Sequence, residues 1–323
     1  MNGGMELYLH MPFCVRKCAY CDFLSFPTDQ ETQNLYTRRL REDIDAMGKK
    51  YGDIPVDTIF IGGGTPSVPD SALIVGIMEH VRKAFHVAEG AEISMEANPG
   101  TVTREKLTDY RRAGINRLSF GLQSANDREL KLLGRIHTWA EFLESFHLAR
   151  ECGFTNINID LMSALPGQTR ESWKDTLKRV TDLNPEHISA YSLIIEDGTP
   201  FGEKYGSEEG RKLLPDEDSE REMYHETKRF LRDCGYERYE ISNYAKPGRA
   251  CRHNIGYWTG LPYLGLGLGA SSYMDGCRFA VNSDMKQYLE EKPGMFTDVE
   301  KLTKKDMEEE FFYVGLRMTA GVS

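Results

Sequence analysis

The sequence predicts an α/β fold in which six βα units form a partial (β/α)6 barrel, followed by a C-terminal α+β extension. Short apolar runs alternate with longer amphipathic runs between residues 7 and 193, which is typical of a parallel sheet whose strands are joined by helices. A glycine that follows a basic helical turn and precedes an apolar run recurs along the chain. After about residue 236 the pattern changes to short aromatic strands around a glycine-rich stretch.

Each βα unit begins with a short apolar run that predicts a β-strand. Helices rich in Leu, Glu, Arg and Lys separate these runs. Ligands of parallel α/β folds bind at the carboxyl ends of the strands, so we expect the functional residues where the runs end. The predicted strands cover residues 7–10, 58–61, 92–96, 117–121, 156–161 and 187–193.

Three glycines predict where helices end and the following strands begin. Gly114, Gly153 and Gly235 each follow a run with basic residues, and glycine readily takes the left-handed conformation that closes a helix. A charged helix over about 216–234 is predicted to close the barrel region. We therefore assign residues 1–235 to the barrel and residues 236–323 to a C-terminal region.

Composition excludes several classes of protein. With 323 residues, 40% of them hydrophobic, the chain has no apolar run near the roughly 18 residues that a membrane span requires, which predicts a globular, soluble protein. Glu6 and His10 interrupt the early apolar stretch, so we expect no secretory signal. Seven cysteines, three of them clustered, indicate a reducing compartment and hence a cytoplasmic location. A net charge of −10 argues against nucleic acid as a partner.

Three cysteines lie within eight residues near the start of the chain. Cys14, Cys18 and Cys21 have the spacing C-x3-C-x2-C. Thiolates are soft ligands that select iron–sulfur clusters, zinc or copper, and three of them leave one coordination position open. From the residues alone, two interpretations stay open: a four-iron cluster with an open corner, or a zinc site completed by His10 or another histidine.

Glycine or polar residues follow the predicted strands. The second strand ends in Gly-Gly-Gly-Thr-Pro, residues 62–66, where missing side chains let the backbone approach a ligand. The third ends at Glu96, whose carboxylate, if buried, needs a partner such as an ammonium or a ribose. Gln123 and Asp160 end the next two strands, and Arg135 offers a guanidinium suited to a carboxylate. A flexible turn and a solvated surface glutamate are the ordinary alternatives for the glycines and Glu96.

These motifs together resemble the radical S-adenosylmethionine (SAM) superfamily. Within it, Tyr-x-His-x-Pro-Phe-Cys at residues 8–14 resembles the branch that holds oxygen-independent coproporphyrinogen III oxidase and the heme chaperone HemW. The resemblance implies an open (β/α)6 barrel, a [4Fe-4S] cluster held by the three cysteines, and SAM that chelates the fourth iron. By the same resemblance, the matching SAM contacts are Tyr8, Tyr20, Gly63, Gly64, Thr65, Glu96, Gln123, Arg135 and Asp160.

Two stretches characterise the C-terminal region. Residues 264–270 alternate glycine with leucine but lack the spacing of a dinucleotide fingerprint, so we predict close packing of their backbone against the barrel mouth. Residues 253–258, His-Asn-x-x-Tyr-Trp, resemble a signature of the HemW branch, which implies that His253 ligates heme iron or contacts a porphyrin face. The alternative is a histidine held in place by its own hydrogen bonds.

The residue at position 23 discriminates between two functions. The oxidase pattern continues with a fourth cysteine two residues after the third, whereas this chain has Phe23, as HemW does. The leading hypothesis is a heme chaperone that carries the cluster, binds SAM and passes heme to acceptor proteins. The alternatives are a coproporphyrinogen III oxidase, which performs a radical oxidative decarboxylation in porphyrin biosynthesis, and a zinc-stabilised interaction protein. Relatives continue beyond Ser323, so the C-terminal region is either incomplete in this chain or shorter than theirs.

Overall fold

A computed structural model of the chain describes residues 3–322, and the strands in this range form one open sheet. Its spatial order is β12-β11-β10-β9-β1-β2-β3-β4-β5-β6-β8-β7. The strands are β1 (Met5–Met11), β2 (Val56–Gly63), β3 (Val87–Ala97), β4 (Arg117–Gln123), β5 (Ile157–Ser163), β6 (His187–Ser192), β7 (Glu237–Arg238), β8 (Asn243–Ala245), β9 (Tyr263–Leu266), β10 (Ser271–Met274), β11 (Cys277–Ala280) and β12 (Thr297–Lys301).

The first six strands pair in parallel and in chain order, β1 to β6. Each overlaps the strand predicted for it, and helices connect them, so the predicted α/β fold with a partial (β/α)6 barrel is confirmed. The helices are α1 (Gln30–Tyr51), α2 (Ser71–Ala84), α3 (Arg104–Arg112), α4 (Asp127–Leu132), α5 (Trp139–Glu151), α6 (Arg170–Asp182), α7 (Pro200–Tyr205), α8 (Glu208–Arg211), α9 (Glu217–Asp233), α10 (Arg252–Trp258), α11 (Met285–Glu290) and α12 (Lys304–Gly315).

Local capping chemistry sets the ends of the helices. The Asp216 side chain accepts a hydrogen bond from Ser219 N at the start of α9, as its charge-rich sequence predicts. Gly114, Gly153 and Gly235 follow α3, α5 and α9 with φ of +89°, +86° and +86°, which confirms their predicted role as helix terminators. Between residues 3 and 322, no helix has the length and apolar character needed to cross a membrane.

Alternation along β4 separates an apolar face from a polar one. Phe120 is fully buried, and its ring centroid lies 6.2 Å from that of Phe142 in α5. Ser119 points to the opposite face, because successive strand side chains alternate, and its hydroxyl donates to Asp160 Oδ2 at 3.0 Å. Asn158 donates to the Ser119 hydroxyl at 2.7 Å. The helices therefore cover an apolar surface, while polar side chains line the interior of the barrel.

The C-terminal region extends both edges of this sheet. Strand β8 pairs with β6 in antiparallel orientation, and β7 continues that edge. At the other edge β9 pairs in parallel with β1, and β10, β11 and β12 follow as antiparallel neighbours. The division of the chain between residues 235 and 236 stays a prediction, and its outer bounds at residues 1 and 323 lie outside the described residues.

The glycine-rich stretch packs its backbone tightly at the end of β1, as the sequence predicts. A Cβ atom at Gly267 would lie 2.5 Å from the Tyr36 hydroxyl and 2.8 Å from the carbonyl oxygen of His10, and φ at this glycine is +93°. The Tyr36 hydroxyl donates to that oxygen at 2.7 Å and accepts from Leu268 N at 3.0 Å. No side chain fits between these groups without displacing one of them.

We therefore expect Gly267→Ala to destabilise the protein more than Gly276→Ala. Gly276 also has a positive φ, +68°, but a Cβ there meets open space. Gly276→Ala should lower the free energy of unfolding by about 1 kcal/mol, because alanine resists this backbone conformation. Gly267→Ala should lower it by about 1–3 kcal/mol more, because its Cβ also clashes. Free energies of unfolding from urea denaturation test this, and equal losses in the two variants would contradict the packing described.

Candidate functional site

The cysteine loop, residues 12–26, leaves the carboxyl end of β1 and is fixed by backbone hydrogen bonds. Two bonds at its start come from the Gly-Gly-Gly-Thr turn after β2, one closes the loop on itself, and two join it to other parts of the barrel. These bonds are Gly64 N to Met11 O (2.8 Å), Thr65 N to Phe13 O (2.6 Å), Cys14 N to Phe26 O (3.1 Å), Ala19 N to Leu133 O (3.0 Å) and Phe201 N to Ala19 O (2.9 Å).

The three cysteines of this loop are half-buried and line one cavity of about 110 Å³, the cysteine cavity. The carboxyl ends of β2 to β5 form its other walls. Of the SAM contacts that the sequence predicts, the structure brings the following to the cysteine cavity: Tyr20, Gly63, Gly64, Thr65, Glu96, Gln123, Arg135 and Asp160.

The remaining predicted SAM contact, Tyr8, does not line the cysteine cavity. Its hydroxyl pairs with His10 Nδ1 at 3.0 Å. Its ring borders a neighbouring cavity of about 210 Å³ in the barrel interior, the interior cavity, which shares Glu96, Ser119 and Asp160 with the cysteine cavity. Tyr8 is thus placed one cavity away from the cysteines.

A chain of hydrogen bonds links two of the thiols across the cavity. Cys14 Sγ lies 3.6 Å from Thr65 Oγ1, which accepts from Asn98 Nδ2 at 2.7 Å. Arg135 Nη2 donates to Asn98 Oδ1 at 2.6 Å, and Arg135 Nη1 donates to Cys18 Sγ at 3.6 Å. The orientation of the guanidinium therefore depends on the same asparagine that orients the threonine beside Cys14.

Asn98 and Ser119 are among the residues of this site that the sequence did not predict. Both line the cysteine cavity. The sequence held a signal for each of them: Asn98 lies two residues after Glu96, where the third strand ends, and Ser119 is a polar residue between Leu118 and Phe120 in the fourth strand. A polar residue on the inner face of a buried strand indicates a partner in the barrel interior.

Two carboxylates face the interior of the barrel. Glu96 Oε2 accepts from Gly63 N at 3.0 Å, and Asp160 accepts from Ser119 and from Asn158 Nδ2, the latter at 2.8 Å. Burial raises the pKa of Glu96 to about 7; the negative charge of Asp160 adds to this rise, and the hydrogen bond from Gly63 opposes it. Burial also raises the pKa of Asp160. The site therefore favours a cation or a hydroxyl donor between these groups.

Tight or unusual backbone geometry marks the ends of β2 and β4. A Cβ atom at Gly63, where φ is +109°, would lie 2.4 Å from the His10 ring, and one at Gly64 would lie 2.7 Å from Phe13 O. Gln123 takes φ of +74° at the end of β4, a conformation that a residue with a side chain seldom adopts. Such backbone strain often accompanies a binding site.

The donor set fits the two groups that the resemblance implies. The three thiols are the ligands that iron–sulfur clusters take. Arg135 Nε is buried and has no hydrogen-bond partner within residues 3–322, so it is available to an anionic group such as a carboxylate. In the same range, no group of three or more His, Cys, Asp or Glu side chains is arranged to hold a single metal ion.

His253 lies in the first turn of α10 and its side chain is only 1% exposed. Its Nδ1 pairs with Thr58 Oγ1 at 2.7 Å, and its Nε2 pairs with the Tyr257 hydroxyl at 3.1 Å. Burial, together with the positive charge of Arg117, lowers the pKa of His253 to about 3. These hydrogen bonds fit the alternative interpretation, a histidine held by its own partners. The ring also lines the interior cavity, and its role as a heme ligand stays a prediction.

Comparison with known proteins places this site in a family. The Radical SAM superfamily profile matches residues 8–180. The chain is 37% identical over 320 residues to the heme chaperone HemW of Bacillus subtilis, covering 98% of this chain and 84% of that protein. It is 42% identical over 272 residues to HemW of Escherichia coli, covering 82% of this chain and 69% of that protein.

A solved structure agrees with these relatives. Coproporphyrinogen III oxidase (HemN) from Escherichia coli, described as a radical SAM enzyme, superimposes with a TM-score of 0.85 and 27% sequence identity, covering 98% of this chain and 76% of that one. The profile match spans more than half of the chain, and it includes the cysteine loop and the ends of β1 to β5. The chain therefore belongs to the radical SAM superfamily, in the branch of the HemW heme chaperones and HemN.

Proposed function

We propose that the chain is a heme chaperone-like radical SAM protein of the cytoplasm. It carries a [4Fe-4S] cluster on Cys14, Cys18 and Cys21, binds SAM beside the cluster, binds heme and passes it to acceptor proteins. The observation that carries the proposal is the convergence of three thiols and eight of the nine matching SAM contacts on the cysteine cavity. Identity to HemW relatives over nearly the whole chain supports the heme-handling part.

The chain's own residues would position SAM at the cluster. When bound, the cluster supplies one-electron chemistry toward the SAM sulfonium, and the protein supplies geometry and exclusion of water. The carboxylate of Glu96 would accept hydrogen bonds from the ammonium or ribose of SAM. The free N–H of Arg135 would donate to its carboxylate. Gly63 and Gly64 would let the turn after β2 pack closely against His10 and Phe13 and so hold the cysteine loop beside SAM.

Phe23 bears on the second candidate function, a coproporphyrinogen III oxidase. The fold similarity to HemN over 98% of this chain favours that candidate. Phe23, however, occupies the position of the fourth cysteine in the oxidase pattern, and it lines the cysteine cavity with a side chain that is 65% exposed. The HemW relatives are also more similar in sequence than HemN is, so the chaperone remains our proposal.

The SAM affinity should depend on pH through Glu96. Because the pKa of Glu96 is raised to about 7, the fraction in the carboxylate form increases about tenfold between pH 6 and pH 8. We expect the affinity advantage of the wild type over Glu96→Gln to grow about five- to tenfold over this range. Calorimetric titration of SAM into anaerobically reconstituted protein at both pH values measures it.

Iron content is determined at each pH, so that loss of the cluster is not mistaken for loss of SAM binding. Glu105→Gln, an exposed glutamate of α3, is the matched control and should behave as the wild type. A wild-type advantage that is constant between pH 6 and pH 8 would show that the Glu96 carboxylate does not contact SAM.

Two assays on reconstituted protein separate the chaperone from the oxidase. We expect the protein to bind about one equivalent of ferric heme, seen as a Soret band that saturates at this ratio. On mixing with a heme-free acceptor protein, the heme should move to the acceptor. We expect incubation with dithionite, SAM and coproporphyrinogen III to yield no appreciable protoporphyrinogen. If the protein instead forms protoporphyrinogen over multiple turnovers and does not bind heme stably, it is an oxidase and not a chaperone.

A further inference from the structure

A cavity of about 590 Å³, the tyrosine cavity, lies outside the cluster and SAM site, whose cavity measures about 110 Å³. Strands β9 to β11 and helices α10 and α12 contribute its walls. Of the predicted SAM contacts, Tyr8 alone lines it. Its volume falls within the roughly 300–1,000 Å³ of small-molecule and cofactor sites. Nothing in the cluster and SAM chemistry uses this space.

Aromatic rings dominate its walls. The ring centroids of Tyr257 and Tyr263 lie 4.7 Å apart at nearly a right angle, and those of Tyr263 and Tyr273 lie 6.4 Å apart. Trp258 of α10 and Phe311 of α12 add further rings. Flat rings with aliphatic neighbours favour a planar, largely apolar ligand. The lining also includes the apolar side chains of Leu261, Met307 and Val314.

Strand register places a row of polar groups along one wall. Tyr263 of β9 lies opposite Tyr273 of β10, which in turn lies opposite Arg278 of β11. Side chains paired in this way share a face of the sheet. Tyrosine oxygen is a known protein ligand of heme iron, and Tyr273 stands in this row between the other tyrosine and the guanidinium.

The mouth of the cavity carries one ion pair. Arg278 Nη2 lies 2.7 Å from Glu310 Oε2, and these side chains are 45% and 31% exposed. A half-exposed guanidinium at the edge of an apolar cavity suits a ligand with a carboxylate at its periphery. A heme combines a flat apolar macrocycle, a central iron and peripheral carboxylates.

We propose that the tyrosine cavity is the heme site. The macrocycle lies between Trp258 and Phe311, the Tyr273 oxygen ligates the ferric iron after its proton passes to solvent, and a propionate meets Arg278. His253 does not line this cavity, since its ring nitrogens face Thr58 and Tyr257. The inference rests on the proposed heme-binding function and adds the place and the iron ligand.

Titration of ferric heme into the reconstituted protein tests the site. Phe311→Asp places a carboxylate in the apolar wall and should weaken heme binding at least about tenfold. Tyr273→Phe removes one hydroxyl and should abolish the visible and EPR signature of a tyrosinate-bound ferric heme. Phe312→Asp is the matched control for Phe311→Asp, and Tyr313→Phe is the matched control for Tyr273→Phe. Phe312 and Tyr313 are 58% and 78% exposed and do not line the cavity, so both controls should bind heme as the wild type does.

The outcomes separate the site from the function. If the wild type binds heme and neither Phe311→Asp nor Tyr273→Phe changes that binding, the proposed site is wrong, while the chaperone function stands. No heme binding by the wild type would overturn both. Loss of the axial-ligand signature in His253→Gln, with Tyr273→Phe unaffected, would assign the iron to the histidine instead. Circular dichroism and SAM binding verify folding, and if Phe311→Asp does not fold, Tyr273→Phe decides.

Discussion

The functional site depends on the bonds that tie the cysteine loop to the turn after β2. In a parallel sheet the carboxyl ends of all strands meet at one edge, so a loop that leaves β1 enters the space into which the later strands point. Gly64 N donates to the Met11 carbonyl and Thr65 N to the Phe13 carbonyl, and these bonds extend the β1–β2 pairing beyond the strands. The glycines are required because the loop backbone occupies the space that a Cβ at Gly64 would need.

The second requirement is a polar barrel interior held together by its own hydrogen bonds. A buried carboxylate is costly unless donors surround it. Asp160 has Ser119 and Asn158 as donors, whereas Glu96 has one backbone N–H among the described contacts. Glu96 therefore carries the pKa raised to about 7 and is the carboxylate that gains most from a cationic or hydroxyl ligand. Structural stability and ligand binding thus depend on the same groups.

Much of this was predictable from the sequence, because hydrophobic alternation and strand-end position are local signals. They predicted the positions of the six parallel strands, and they predicted that Glu96 and Asp160 lie together at the strand ends. What they could not give were contacts between distant segments. The hydrogen bonds of Asn98 to Thr65 and Arg135, and the C-terminal strands on both sheet edges, depend on tertiary register. His253 shows the limit most directly: a motif gave its position, but its burial and the pairing of its ring with Thr58, 195 residues away in the chain, could not be read from that motif.

Iron and sulfide analysis of anaerobically reconstituted protein, with EPR spectra of the reduced form recorded with and without SAM, tests the cysteine cavity as a cluster site. We expect about four irons and four sulfides per chain and a spectrum that changes when SAM binds. Serine at Cys14, Cys18 or Cys21 should abolish the cluster, and serine at Cys152, a half-buried thiol at the end of α5, should retain it. Three results would contradict a cluster and SAM site in the cysteine cavity: zinc in place of iron, a cluster that survives loss of the loop thiols, or an EPR spectrum that SAM does not change.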